Sequence, residues 1–518
     1  MHKLRLLKKL IFLTKGDKKF CDFSKNKWKS ARKSNYDGIV LIDFMTLEQY
    51  IYQSSYTTNY FKINNNLDIR YFQFIQRNKY ILRAFYKFFR SFSRFHKLYK
   101  SFGCNFGLIN VYDKNTIGIA KSLKFSSKNE LINFSLEGIQ IGDLIYGTYL
   151  RENAVPTVDL DDESLLWTIE NAISVFYSTK NYLKKHNVKK VLTSHGVYVN
   201  YGIIVRVAVH SGVDVYQINY NKAMHKYSRD HFSQARRHDN YQNDFNSLND
   251  KEIRREKARQ MLELRFKENM PKEAMQPAYQ YFFDRTMSHL KESENEKQIF
   301  LNNGKTRVVI FLHCFLDSPH LYKSMIFPDF LEWIEFLLNI LDLPNLDLVI
   351  KPHPNSKPGN DEIIDTLKYK FPNVRYIDKS TPNDKLISEN VEVLLTVYGT
   401  SAHEFAYRGV KTITAGDNPA VAYDFCIHAK SKDEYRHYLK NIDKLAIDIN
   451  REKIEEFFYM HYMHPSDGML EENKKIFDID WEIPAGQPDI FINFIEEYNK
   501  GLHEDVFDNI SAALEQLD

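Results

Sequence analysis

Val349-Ile350-Lys351-Pro352-His353-Pro354 is an apolar run that delivers a cation and an imidazole at its carboxyl end, between two prolines. An apolar run that stops on turn residues reads as a buried strand, here Leu346 to Ile350, followed by a loop from Lys351 to Gly359 and a helix from Asp361. The same alternation extends on both sides. Upstream stand a strand over Arg307–Leu312 and a helix over Asp329–Leu341; downstream come strands at Val374–Ile377 and Val391–Val397, a loop from Tyr398 to Ser401, a helix over Ala402–Arg408 and a strand at Lys411–Ala415. Short strands alternating with helices make a doubly wound α/β domain.

The first half carries the same signature more sparsely. Gly38-Ile39-Val40-Leu41-Ile42-Asp43-Phe44 reads as an early buried strand. From Glu163 to His186 the apolar residues recur at helical spacing, and Val188–Thr193 then reads as a strand. After Ser194-His195-Gly196 comes a second helix, to about Ser211, and another strand at Val213–Ile218. That order is a parallel βαβ unit, whose crossover is right-handed and whose ligand-facing loops lie at the carboxyl ends of its strands. Residues 222–300 are polar, with one helical stretch from Lys251 to Asn269 and no expected strand. The expected organisation is therefore an α/β chain of two Rossmann-like domains facing a cleft. Residues 1–300 form the first, including basic aromatic helices and a helical linker, and 301–452 the second. A helical tail over 453–518, ending in the helix Glu504–Leu517, would brace the first domain.

Composition bounds the function. A chain of 518 residues, 43% hydrophobic, can bury two cores and is not a disordered protein. Cys21, Cys104, Cys314 and Cys426 form neither a CxxC pair nor a Cys/His cluster, which fits a reducing cytoplasm. Leu10-Ile11-Phe12-Leu13 is too short for a signal core or a membrane span, and nothing else reaches the length of a span. Net charge is +4, unevenly placed. Residues 1–34 hold twelve lysines and arginines against Asp17 and Asp22, and Ile69–Lys100 contains no acid. The second segment interleaves Arg70, Arg77, Lys79, Arg83, Lys87, Arg90, Arg94 and Lys97 with seven phenylalanines, as an interfacial helix would. Anionic lipid is the expected partner of these two segments. A helix with its aromatics in the core is the alternative. No RNA or DNA module accompanies them, so nucleic acid is not an expected partner.

Within the second domain, Pro352 and Pro354 fix the backbone around His353 and present its ring at low entropic cost. Lys351 offers a charge for phosphate, and His353 can hydrogen-bond a phosphate oxygen or protonate it as a leaving group departs. Gly399 allows close backbone approach, while Thr400 and Ser401 set hydroxyls beside the free N–H groups of a helix start. Glu404 could accept from ribose hydroxyls, although its spacing from Ser401 also suits a capping box. In the first domain His195 is the candidate base for an acceptor hydroxyl, in a loop that opens a helix with Asn200; such a histidine is as often structural. Asp159-Leu160-Asp161-Asp162 resembles a DxD metal motif but precedes a helix, where capping accounts for it. His313 and His320 flank Asp317 and would line the cleft or fill a loop. No Walker A, GxSxG or HExxH pattern is present.

These loops together resemble the donor half of GT-B glycosyltransferases of bacterial capsule and lipopolysaccharide synthesis. Lys351-Pro352-His353-Pro354 is similar to the His-Pro motif of bacterial sialyltransferases and of capsule Kdo transferases, which contacts the nucleotide phosphate. Gly399-Thr400-Ser401-Ala402-His403-Glu404-Phe405-Ala406-Tyr407-Arg408-Gly409-Val410, followed by Thr412-Ile413-Thr414-Ala415-Gly416, is similar to the helix and strand with which such enzymes hold phosphate and ribose. UDP-sugar 2-epimerases and glycerophosphotransferases share that segment. Gly142-Asp143-Leu144-Ile145-Tyr146-Gly147-Thr148-Tyr149-Leu150-Arg151 resembles a stretch of surface-carbohydrate transferases and brings forward Asp143 and Arg151. The resemblance covers residues 305–430 well and the first half loosely. It implies a cytoplasmic transferase, peripheral on the inner face of the plasma membrane, that needs no metal or other cofactor. The implied donor is a nucleotide sugar, a CMP-linked acidic sugar ahead of a UDP-sugar, bound by Lys351, Pro354, Gly399, Thr400, Ser401 and Glu404. The acceptor would be a surface polysaccharide or lipid-linked glycan, and catalysis would fall to His353, His195 and Asp143. The rivals are an epimerase or glycerophosphotransferase of the same fold, and a protein that binds membranes or polyanions without catalysis.

Overall fold

The computed structural model describes residues 11–31, 33, 35–75, 93–218, 224–230, 232, 238–266, 298–301, 303–321, 325–341, 343–354, 357–464 and 490–517. Two six-stranded sheets organise them. The first contains β1 (Gly38–Asp43), β2 (Leu67–Gln73), β3 (Asn105–Ile109), β6 (Val188–Thr193), β7 (Asp214–Ile218) and β8 (Met224–Lys226), in the order β3-β2-β1-β6-β7-β8. All its pairs are parallel except β7 with β8. A small antiparallel hairpin, β4 (Ser135–Leu136) and β5 (Ile139–Gln140), stands apart. The second sheet contains β9 (Thr306–Phe311), β10 (Leu346–Lys351), β11 (Arg375–Tyr376), β12 (Val393–Thr396), β13 (Lys411–Thr414) and β14 (Ile427–His428). Its order is β11-β10-β9-β12-β13-β14, parallel throughout.

Both sheets thus place their first strand centrally, run two strands to one side and return to the other. The reversal falls between β1 and β6 in one domain and between β9 and β12 in the other, and in open α/β sheets that switch point is where ligands bind. Helices cover both faces, so the central strands are apolar on both sides. In β1, Ile39 and Leu41 join the core under the helices Gly142–Asn153, Glu163–Lys185 and Val199–His210. Val40 and Ile42 face the opposite core, beneath Lys15–Lys27 and Glu48–Asn64.

At the end of the chain the helices Ile490–Asn499 and Val506–Leu517 return to the first domain, whereas residues 454–463 pack on the second. In the first domain Phe491 stacks on Phe20 at 4.3 Å, and the Tyr52 hydroxyl bonds the Phe494 carbonyl at 3.3 Å. Three expectations are corrected. The stretch that begins at Ile69 is not an interfacial helix there, because Leu67–Gln73 is a strand with Ile69, Tyr71 and Phe72 in the core. At its other end Arg94 is tied to Asp17 (2.6 Å) and Glu48 (2.9 Å), with Phe95 buried. The intervening residues 76–92 and residues 1–10 lie outside the described residues. Residues 224–226 form a strand where none was expected. Finally, the helix Lys251–Phe266 packs on the second domain through Ala258, Met261 and Leu262, with Arg259 paired to Glu455 at 2.8 Å, so this part of the linker sits with the second core. Among the described residues no helix is long and apolar enough to cross a membrane.

Candidate active site at two sheet switch points

Asp43 ends β1, and Ser194-His195 follow β6, so the first switch point brings together residues far apart in the chain. The Asp43 carboxylate is buried. Its Oδ2 accepts from the Ser194 backbone N–H at 2.9 Å and from Ser194 Oγ at 2.6 Å, and the Tyr50 hydroxyl donates to Oδ1. Burial raises its pKa to about 6 against the pull of these donors, which favour the ionised form. Ser194 Oγ also lies 2.8 Å from His195 Nδ1. Burial of the His195 ring, with a smaller contribution from the Arg151 guanidinium, lowers its pKa to about 4, so the imidazole is neutral at neutral pH. Tyr201 packs on the ring at 4.0 Å between centroids.

The second switch point is built differently. His313, just past β9, stacks on Phe330 at 4.7 Å and leans on Tyr398 at 4.6 Å. Its Nε2 is 3.4 Å from the Tyr398 N–H and 3.4 Å from Thr396 Oγ1. Burial first, and then the neighbouring His353, lower its pKa to about 3. Gly399 follows with φ of 124°, a conformation that side-chain-bearing residues rarely adopt, and a Cβ there would lie 3.9 Å from His313 Cε1. His353, in the loop after the adjacent strand β10, lies near enough to act electrostatically on His313 at this switch point.

Lys351, the last residue of β10, is buried and reaches over the Phe311 ring, with Nζ 5.1 Å from its centroid and 2.7 Å from Asn383 Oδ1. Burial lowers its pKa to about 8, while Glu404 and Asp378 act to raise it. Lys351 and Glu404 thus feel each other's charge across the end of β9. Asn383 and Asp378 escaped sequence reasoning because they lie beyond β11 and reach Lys351 only through the sheet order. Thr400 is the N-cap of the short helix Ser401–Tyr407 but makes no side-chain cap bond, so the capping arrangement considered for Ser401 and Glu404 is not formed. Pro354 is half-buried in the loop beyond β10. His403 points away from the site, into a cluster with Phe457 (5.1 Å) and Tyr462 (5.4 Å).

One helix, Gly142–Asn153, joins the two switch points. Thr148 Oγ1 accepts the Val199 N–H at 2.9 Å at the start of the helix after His195. On the same helix, a Cβ on Gly147 would lie 2.9 Å from Ser318 Oγ, and the Tyr398 hydroxyl bonds the Ser318 carbonyl at 3.4 Å. Beside it the Tyr146 hydroxyl donates to the buried Asp329 carboxylate at 2.5 Å, and Thr157 Oγ1 donates to the same oxygen at 2.6 Å. Asp329 in turn caps the helix whose first residue, Phe330, carries His313. Asp143, on this helix, is held by Arg206 in a two-pronged ion pair of 2.6 and 2.5 Å, apart from the other candidates. Arg151 lies over Tyr198 at 4.6 Å, close to His195. Asp162 caps the helix Glu163–Lys185 by accepting from the Ser164 N–H, as its position before that helix suggests. Among the described residues no group of His, Cys, Asp and Glu is arranged to hold a metal ion.

Two doubly wound domains with apposed switch points define a GT-B architecture. No family model and no curated protein matches the chain. Among solved structures it is similar to the β-Kdo 2,7-transferase KpsC of Thermosulfurimonas dismutans, with 11% identity, 55% of this chain and 80% of that one covered, and a TM-score of 0.31. It is similar also to the UDP-GlcNAc 2-epimerase of Neisseria meningitidis bound to UDP-GlcNAc, with 15% identity, coverage of 89% and 99%, and a TM-score of 0.27. The wall teichoic acid polymerase TagF matches with 10% identity, 94% coverage of both chains and a TM-score of 0.20. These likenesses are remote.

Proposed function

We propose that this chain is a glycosyltransferase that takes a sugar from a nucleotide-activated donor and passes it to a hydroxyl of a surface polysaccharide or lipid-linked glycan. The observation that carries the proposal is the pairing of unlike switch points. One holds a neutral histidine backed by a serine and a carboxylate. The other gathers His313, His353, Lys351 and a glycine-bearing turn. Cations and hydrogen-bond donors suit a departing phosphate, and a neutral imidazole suits a hydroxyl that must lose its proton. In the transfer, the bond from the anomeric carbon to the donor phosphate oxygen breaks as the acceptor oxygen bonds that carbon. The acceptor proton goes to His195, and the developing phosphate charge is met by His353 and Lys351. Gly399, Thr400, Ser401 and Glu404 would flank the nucleotide, with Pro354 shaping the loop. Asp143, locked by Arg206, is assigned to holding its helix and not to the chemistry. A CMP-linked acidic sugar is the favoured donor and a UDP-sugar the alternative, on the resemblance of the loop Lys351–Pro354. The basic side chains of residues 1–34 and 69–100 would bring the enzyme to anionic lipid.

Incubation with CMP- and UDP-sugars, with and without a membrane glycan fraction, tests this. Acceptor-dependent release of nucleotide is expected. Interconversion of a UDP-sugar without acceptor would reassign the chain as an epimerase, and consumption of no donor would remove the enzymatic assignment.

A further inference from the structure

The Asp43 side chain is the most heavily bonded group at the first switch point. Among its partners, Tyr50 and the Ser194 N–H can only donate to it, and an ionised carboxylate can only accept. The Ser194 hydroxyl hydrogen must therefore point at Asp43 Oδ2, across the 2.6 Å contact. With its hydrogen committed, Ser194 Oγ has only lone pairs to offer His195 Nδ1, 2.8 Å away, so Nδ1 carries the ring hydrogen. A neutral imidazole has one such hydrogen, and Nε2 is left with an open lone pair.

We infer that Asp43 and Ser194 are positioning residues that hold His195 in the Nδ1–H tautomer and leave Nε2 as the proton acceptor of the site. The direction of the chain is Asp43 ← Ser194 ← His195, with the serine between the acid and the histidine, so Ser194 is not a nucleophile activated by a base. When Nε2 takes a proton from an acceptor hydroxyl, the ring becomes cationic with both nitrogens protonated. Nδ1–H keeps its bond to Ser194, and Asp43 faces the new charge through the hydroxyl. No proton leaves Ser194 or reaches Asp43. Tyr201 against the ring, and Gly196, where a Cβ would fall 2.7 Å from the Tyr227 hydroxyl, leave the loop little room to turn the imidazole over.

The inference deepens the role proposed for His195 but is tested without any substrate, so the two can fail separately. Protein labelled with 15N-histidine, with His195 assigned by loss of its signals in His195→Asn, is examined by long-range 1H–15N correlation near neutral pH. Expected are a protonated-type Nδ1 and an unprotonated-type Nε2 in the wild type. Ser194→Ala should move the ring toward the Nε2–H form that free histidine prefers, and Ser194→Thr should restore the wild-type pattern. Asp43→Asn is the second probe and should weaken the preference, and thermal melts of each variant establish that it is folded. A wild-type ring protonated on Nε2, or one unchanged by Ser194→Ala, overturns the inference. The tautomer shift together with no donor turnover by the wild type would uphold the relay and refute the transferase assignment.

Discussion

The two switch points share a topology and differ in what fills them. At the first, polar groups satisfy one another: Asp43, Ser194 and His195 form a chain of contacts of 2.6 to 2.8 Å, and the site arrives with its orientation set. At the second, His313 is held mainly by the rings of Phe330 and Tyr398, its polar contacts stretch to 3.4 Å, and the backbone beside it takes a glycine-only path. The contrast teaches that a pre-oriented group suits a proton transfer, where direction matters, while a ring with only long polar contacts suits a ligand that completes the bonding itself. The sheet is the same in both. What differs is whether the residues at its carboxyl edge are bonded to each other or positioned for something else.

The largest expected effect breaks the first half of that comparison. His195→Ala should lower kcat about 10²- to 10⁴-fold, the usual contribution of a general base, while nucleotide affinity stays within about twofold. Steady-state kinetics with the identified donor beside calorimetric titration checks it, and equal loss of binding and turnover would mean that the histidine is structural.

A smaller effect probes the link between the halves. Tyr146→Phe removes one of the two hydroxyls that share the buried Asp329 carboxylate oxygen. It should destabilise the chain by about 1–3 kcal/mol, read by chemical denaturation. It should also loosen the Phe330 helix on which His313 rests, so donor affinity should fall while the ring signals of His195 stay put.

How much of this was legible in the sequence depends on the range of the pairing. The strands around Lys351 and Gly399 and the helix Glu163–Lys185 announce themselves by local period and turn residues. Ile69–Gln73 reads as the start of a basic helix because cations and aromatics interleave without an acid from there to Lys100, whereas Arg70 pairs with Asp68 two residues back within the strand Leu67–Gln73. His195 and His353 were visible because strand-end loops carry ligands. Asp43 was not, since its role exists only once β1 lies beside β6 and Ser194 comes within reach from 151 positions away. Asn383 opposite Lys351 was hidden for the same reason. The crossing of Lys251–Phe266 to the second core rests on Arg255 and Arg259 meeting Glu456 and Glu455, a charge match that sequence spacing does not reveal.

The mildest test uses pH. His195 and His313 have folded pKa values depressed to about 4 and about 3, below the ordinary histidine value near 6.5. As pH falls from about 6.5 toward 4, the unfolded chain gains protons that these folded rings refuse, so stability falls. Asp43 works the other way, since its folded value of about 6 exceeds the ordinary carboxylate value and acidification through that window favours the folded state. Among these three groups one histidine's effect is left uncancelled, about 1 kcal/mol per pH unit, and burial of His320 and His428, which lowers their pKa values too, adds to the decline. Thermal melts between pH 6.5 and 4.5 should show the decline, and His313→Asn should flatten it; a slope unaffected by that substitution would mean that His313 titrates normally and that the second switch point is wetter than described.

The division of labour between the switch points is tested most directly by calorimetric titration of CMP, CDP, UMP, UDP and GDP into the wild type, His353→Ala and His195→Ala. The prediction is that one nucleotide class binds the wild type and His195→Ala alike and loses at least about tenfold in affinity with His353→Ala. Binding by none of them, or binding that depends on His195 and not on His353, would contradict it.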